Sequence, residues 1–216
     1  MKQVCDALVI VWLLGCQPGS PDTPNPPTNE PKTTMVFQCA DTFTLVAELG
    51  ETAAWAFFPD STVLLPHVPS DTRTQFRDGQ YLVSVEGEEA IVESPTGRFT
   101  GCRNNRRLAI WEGAKLRGVD FRATGNEPGW FMEISGDSIL VVADYGELIA
   151  SFPTPTPVED AANRQTTFET ASGEHVLLVR LEGRRCQDTM ADDTYETTVR
   201  IRLDDRELLG CGMALH

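Results

Sequence analysis

The chain has 216 residues, enough for one medium domain or two small ones, and 41% of them are apolar, which suffices for packed cores. Lys and Arg number 18 against 32 Asp and Glu, a net charge of −14, so the phosphate backbone of a nucleic acid is repelled at any range that salt does not screen. Nucleic-acid binding is therefore not expected, whereas a basic partner would be attracted and its encounter hastened.

At the N-terminus Lys2 precedes an apolar run, residues 7–14 (ALVIVWLL). The run is far short of the ~20 residues a membrane-spanning helix needs, but it suits a signal-peptide core. It ends in Leu13-Leu14-Gly15-Cys16, which resembles the bacterial lipobox. The resemblance implies an acylated Cys16 as first residue of the mature chain, a membrane anchor through that lipid, and, with Gln17 next, an outer-membrane lipoprotein of the bacterial cell envelope. Residues 16–34 are dense in Pro, Asn, Ser and Thr with almost nothing to bury, and read as an extended tether.

Export to an oxidising compartment means that Cys39, Cys102, Cys186 and Cys211 should pair. Three pairings are open. The stretch NNRRLAIWEGAK, residues 104–115, breaks the strand pattern between the middle two cysteines, which favours one bridge per domain, Cys39 with Cys102 and Cys186 with Cys211. No C-x-x-C spacing occurs, and His67, His175 and His216 adjoin none of the cysteines, so neither a metal nor a cofactor is expected.

Short β-rich runs follow one another at residues 43–49, 53–58, 62–65, 81–85, 90–93 and 98–102, separated by turn signals such as Asp78-Gly79 and Pro95-Thr96-Gly97. The second half repeats the style at residues 119–124, 130–134, 139–143, 148–152, 175–181, 197–203 and 207–209, with Trp130, Met132 and Ile134 expected on one buried face. The Pro-Thr-Pro-Thr-Pro run, residues 153–157, and the polar residues after it read as a long surface loop. Helical periodicity is scarce. The expected class is all-β: two small antiparallel barrels or sandwiches, one over residues 35–106 and one over 117–216, joined by a connector at 107–116.

The first half resembles the MliC/PliC family of bacterial inhibitors of C-type lysozyme over about residues 35–105. The likeness rests on Val36-Phe37-Gln38-Cys39, a chain of short strands, the loop Pro69-Ser70-Asp71-Thr72-Arg73, the hairpin stretch Glu86-Gly87-Glu88-Glu89-Ala90 and the closing Cys102. It implies a small antiparallel β-barrel with a disulfide between its first and last strands. It also implies that a loop serine and a hairpin lysine enter the lysozyme cleft and engage its two catalytic carboxyl groups, one protonated and one ionised. Ser70 keeps the serine position, and Gly87 and Ala90 match, but Asp71 and Thr74 replace the Gly and Tyr of the first motif. Glu86 stands where the lysine should be, and a carboxylate there meets like-charge repulsion. Two substitutes present themselves. Arg73 or Arg77 supplies the cation from a neighbouring position, or the acidic rim of Asp71, Asp78, Glu86, Glu88 and Glu89 binds the basic outer surface of a lysozyme.

The stretches FRATGNEPGW (121–130), CQDTMADDTY (186–195) and LLGCG (208–212) are similar to an uncharacterised family of bacterial envelope lipoprotein domains, which brings no activity with it. In GNEPGW, Gly125 and Gly129 read as allowing tight turns and Pro128 as fixing one dihedral angle, with Asn126 and Glu127 at a loop tip. His67, Ser70 and Asp71 lie close in sequence without the strained turn or oxyanion donors of a catalytic triad, so no enzyme is expected. The expected function is a lipid-anchored envelope protein that binds and inhibits C-type lysozyme; the alternative is a glycan- or lipid-binding envelope lipoprotein whose barrel has lost inhibition.

Overall fold

A computed structural model describes residues 31–40, 42–188, 190 and 192–216. The expected signal peptide, Cys16 and the tether as far as residue 30 lie outside the described residues. Strands β1 (Thr33–Gln38), β2 (Thr44–Leu49), β3 (Ala53–Phe57), β4 (Thr62–Val68), β5 (Thr74–Asp78), β6 (Tyr81–Glu86), β7 (Glu89–Ser94) and β8 (Gly97–Asn104) form a closed eight-stranded antiparallel barrel. Alternation sends Phe37, Leu45, Leu65, Phe76 and Val83 inward, all fully buried, with Ala47, Ala54, Ala56 and Ala90 between them. Ala54 faces Leu65 across β3 and β4, and Ala47 faces Met35 across β1 and β2. Small residues opposite large ones fit the narrow lumen of an eight-stranded barrel, which is therefore a packed core and not a channel.

The barrel closes over a short seam, where Phe37 pairs with Asn104 and Gln38 with Arg103. The amide of Val36 donates to Asn104 Oδ1 at 2.9 Å, and that of Asn105 to the Val36 carbonyl at 2.7 Å. The Cys39–Cys102 disulfide flanks the seam, as the sequence led us to expect. Between the Ala90–Cys102 and Val92–Phe99 pairs β8 carries an extra residue, and Gly101 there takes φ +65°, a left-handed value that a β-bulge readily assigns to glycine.

The break after Cys102 is a helix, α1 (Arg106–Leu116), whose start is capped by Asn105 Oδ1 accepting from the Leu108 amide at 3.1 Å. Gly113 of α1 lies against β1, where an added Cβ would sit 3.2 Å from Thr34 Oγ1.

Beyond α1 come β9 (Phe121–Asn126), β10 (Gly129–Ile134), β11 (Ser138–Ala143), β12 (Leu148–Pro153), β13 (Val158–Asp160), β14 (Gln165–Ser172), β15 (His175–Glu182), β16 (Cys186–Asp188), β17 (Asp193–Tyr195), β18 (Thr197–Leu203) and β19 (Arg206–Ala214). All but β16 and β17, which form their own hairpin, make a nine-stranded antiparallel sheet in the order β12-β11-β10-β9-β19-β18-β15-β14-β13. The sheet curls so that Phe152 of β12 and Phe168 of β14 share one core with Trp130, Met132 and Ile134, which occupy one buried face as expected. The second disulfide, Cys186–Cys211, ties the β16–β17 hairpin to β19.

The loop expected after residue 157 contains β13 and β14 instead. In QTTFETAS the large buried side chain is Phe168 alone, so apolar alternation is too sparse to announce a strand. Pairing with β15 along all eight residues makes it one, helped by three β-branched threonines. Strand β5 (TQFRD) was hidden for the same reason, with Phe76 its single buried residue.

On the outer face of the second sheet, Arg122 of β9 stands opposite Glu133 of β10, and α1 covers both. Arg122 and Arg117 each donate to Glu133, the latter at 2.9 Å, and the Arg122 guanidinium lies 4.5 Å from the centre of the Phe131 ring. Burial pulls the Arg122 pKa down from its usual value, while Glu133 pushes the other way.

Candidate functional site

Neighbouring barrel strands alternate in direction, so the turns after β2, β4 and β6 share one end with the exit from β8 into α1. The turns after β1, β3, β5 and β7 share the other. The first end gathers most of the residues singled out from sequence. Ser70 and Asp71 lie exposed in the connection between β4 and β5. Thr74 pairs with Val85, which sets Arg73 beside Glu86 at the end of β6. Gly87 and Glu88 make the two-residue turn into β7, with Glu86 paired to Glu89. Gly87 takes φ +59°, the left-handed value required at the first position of such a hairpin.

Arg73 and Glu86 form an ion pair at 2.7 Å, with side-chain exposures of 25% and 60%. Only Nη2 of Arg73 is engaged there; Nη1 is shielded from solvent and meets no acceptor among the described residues. Glu88 accepts from Arg106 Nη2 at 2.6 Å and Nε at 3.0 Å, and from Asn104 Nδ2 at 2.8 Å. These contacts, that with Arg106 first, hold the Glu88 carboxyl below the usual glutamate range. Glu89 pairs with Arg103 at 2.6 Å.

The acidic stretch is therefore not a bare negative rim, because each of Glu86, Glu88 and Glu89 faces an arginine. Arg103 and Arg106 escaped the sequence reading. Their signal was the Cys102-Arg103-Asn104-Asn105-Arg106 run, whose meaning depended on β8 ending beside the β6–β7 turn. Arg77 and Asp78 are placed at the opposite end of the barrel. Arg77 stands four positions along β5 from Arg73, or about 13 Å at the usual strand rise, and is tied to Glu93 at 3.0 Å. Arg77 is thus a correction to the expected site, since strand direction removes it from the neighbourhood of Ser70 and Glu86.

What remains at the α1 end is an exposed serine at Ser70 and a guanidinium at Arg73 held beside an exposed carboxylate. Such a rim can enter a concave partner and offer it one neutral and one charged donor.

In the second half, the GNEPGW glycines differ from their expected role. Gly125 lies in β9 under the Trp130 ring, and a Cβ there would come within 2.1 Å of Trp130 Nε1. Gly129 lies against Tyr145, whose ring a Cβ would meet at 2.9 Å. Close packing, and not turn geometry, accounts for Gly125, whereas the Tyr145 ring beside Gly129 is itself 87% exposed. Asn126 Nδ2 donates to Asp188 Oδ1 at 2.7 Å, joining the β9–β10 turn to the disulfide-tied hairpin.

No family model, curated protein or solved structure matches this chain.

Proposed function

We propose that the barrel is a stoichiometric inhibitor of C-type lysozyme, held in the bacterial envelope by an acyl group on Cys16, and that its α1-end rim blocks the lysozyme cleft. The observation that carries this reading is the ion pair of Arg73 with Glu86, beside the exposed Ser70 loop, on a closed barrel whose first and last strands are bridged by Cys39–Cys102.

A lysozyme of this type needs one protonated and one ionised carboxyl group. Ser70 is suited to meet the acid, and Arg73 supplies the cation that the Glu86 position lacks. In the free inhibitor Glu86 neutralises Arg73. On docking, Arg73 exchanges Glu86 for the lysozyme carboxylate, and the exposed Glu86 turns to solvent. A lysozyme carboxylate that also reached Nη1, which has no acceptor among the described residues, would relieve a cost of about 1–3 kcal/mol and so favour the exchange. Asp71 and the ion-paired Glu88 then border the contact without entering it.

Substitution separates the roles. Arg73→Gln should weaken inhibition about 10- to 100-fold, the size of a lost charge-assisted contact. Glu86→Gln should strengthen it, by freeing Arg73 and removing the repelling carboxylate. Inhibition constants for the two variants that move in the same direction would refute the exchange, and absence of inhibition in wild type and Glu86→Gln alike would refute the function.

A further inference from the structure

The outer face of the second sheet is covered over only part of its width. Trp111 of α1, Tyr195 of β17 and Leu215 are buried together against Cys211. Beyond them the outer face of β15, β18 and the start of β19 is open. Register there sets Arg180 opposite Arg200, and Arg202 opposite Leu178. Like charges facing each other across strands are destabilising, and here two carboxylates, Glu182 and Glu207, stand among three guanidinium groups. Arg200 reaches Glu182 at 3.3 Å, a carboxylate that Arg184 shares at 3.3 Å. Arg180 and Arg202 make no ion pair among the described residues. By contrast Arg77, Arg98, Arg103, Arg106 and Arg206 are each held by a carboxylate, and the chain as a whole carries a net charge of −14.

The three arginines line a groove of about 430 Å³ together with Glu182 and Glu207, which leaves one positive charge in excess. It adjoins a second depression, of about 470 Å³, and the two share Arg200 and Leu209. Amide, carboxylate and hydroxyl groups of Asn126, Gln187, Asp188 and Thr198 line the second depression. The two adjoining depressions together have a guanidinium end, an apolar step at Leu209, which is 57% exposed, and an end rich in donors and acceptors. Volumes of this order suit a small ligand.

The arginines are also framed by carboxylates, with Glu207 opposite Arg202 and Glu169 opposite Leu178. An extended polyanion or a flat anionic bilayer would meet these acids first, whereas a single phosphate group is small enough to approach the arginines past them.

We infer that this pair of depressions binds a phosphorylated saccharide. Its phosphate sits on Arg180, Arg200 and Arg202, the C–H face of its ring lies along Leu209, and its hydroxyls reach Asn126, Gln187 and Asp188. This site is separate from the barrel rim and stands or falls independently of lysozyme inhibition.

Calorimetric titration of the full chain with glucose 1-phosphate, glucose 6-phosphate and N-acetylglucosamine 6-phosphate, with glucose and inorganic phosphate as controls, tests it. At least one sugar phosphate should bind saturably and at least tenfold more tightly than either control. The double variant Arg180→Gln, Arg202→Gln should bind it at least tenfold more weakly while melting at the same or a higher temperature, because mutual repulsion has been removed. The inference is overturned if no sugar phosphate binds, if inorganic phosphate binds as tightly, or if the double variant binds undiminished. A lowered melting temperature in that variant would assign the arginines a structural role and overturn it as well.

Discussion

A β-carbon at Gly125 would lie 2.1 Å from Trp130 Nε1 and 2.5 Å from the Leu209 carbonyl oxygen, and neither backbone nor a ring locked in the core can give way cheaply. Gly125→Ala should therefore destabilise the protein by about 3 kcal/mol, the upper part of the overpacking range. Chemical denaturation of the variant beside wild type measures it, and a loss under about 1 kcal/mol would show that the ring relocates freely. The motif announced that these glycines matter but not why. The atoms that exclude a side chain at Gly125 come from Trp130 of β10 and from Leu209 of β19, the latter more than 80 positions away in the chain, which no local pattern displays. Arg73 and Glu86 were legible in a different degree. Both were visible as candidate charges, yet only the β5–β6 register made them a pair, and the same register carried Arg77 away.

Elements with two or more alternating large apolar residues, such as β2, β10 and β18, could be read from sequence because their burial is written in their own residues. β5 and β14 could not, since each buries one large side chain and takes its conformation from its partners. Helix α1 was legible only as a break, because its buried face is made of Ala109, Trp111, Gly113 and Ala114, too small and mixed a set to mark a period. Its first residue, Arg106, joins Asn104 in clipping the β6–β7 turn through Glu88.

That clip has a pH signature. The folded-state pKa of Glu88 is lowered, as are those of Asp144 by Arg206 and Asp204 by His175. A depressed carboxyl group contributes stability that is present above its unfolded pKa and is lost as pH falls through the folded one. Melting temperature should thus decline as pH drops below about 4. The gap between wild type and Glu88→Gln should be open at pH 7 and closed near pH 2. A gap equally wide at both ends would contradict the clip.

At the scale of the whole molecule, the closed barrel and the curled sheet present different chemistry. The rim offers Ser70 and Arg73 beside exposed acids, whereas the sheet face gathers Arg180, Arg200 and Arg202 in one groove. The proposed anchor at Cys16 with its Pro-rich tether would let both work at a membrane surface, and the −14 net charge would speed the approach of a strongly basic lysozyme at low salt. The most direct measurement is the rate at which a C-type lysozyme clears a turbid suspension of bacterial cell walls, with the full chain added in increasing molar ratio. Clearing should slow in proportion to the chain added and approach zero near equimolar amounts. An undiminished rate at tenfold molar excess would contradict the lysozyme reading outright.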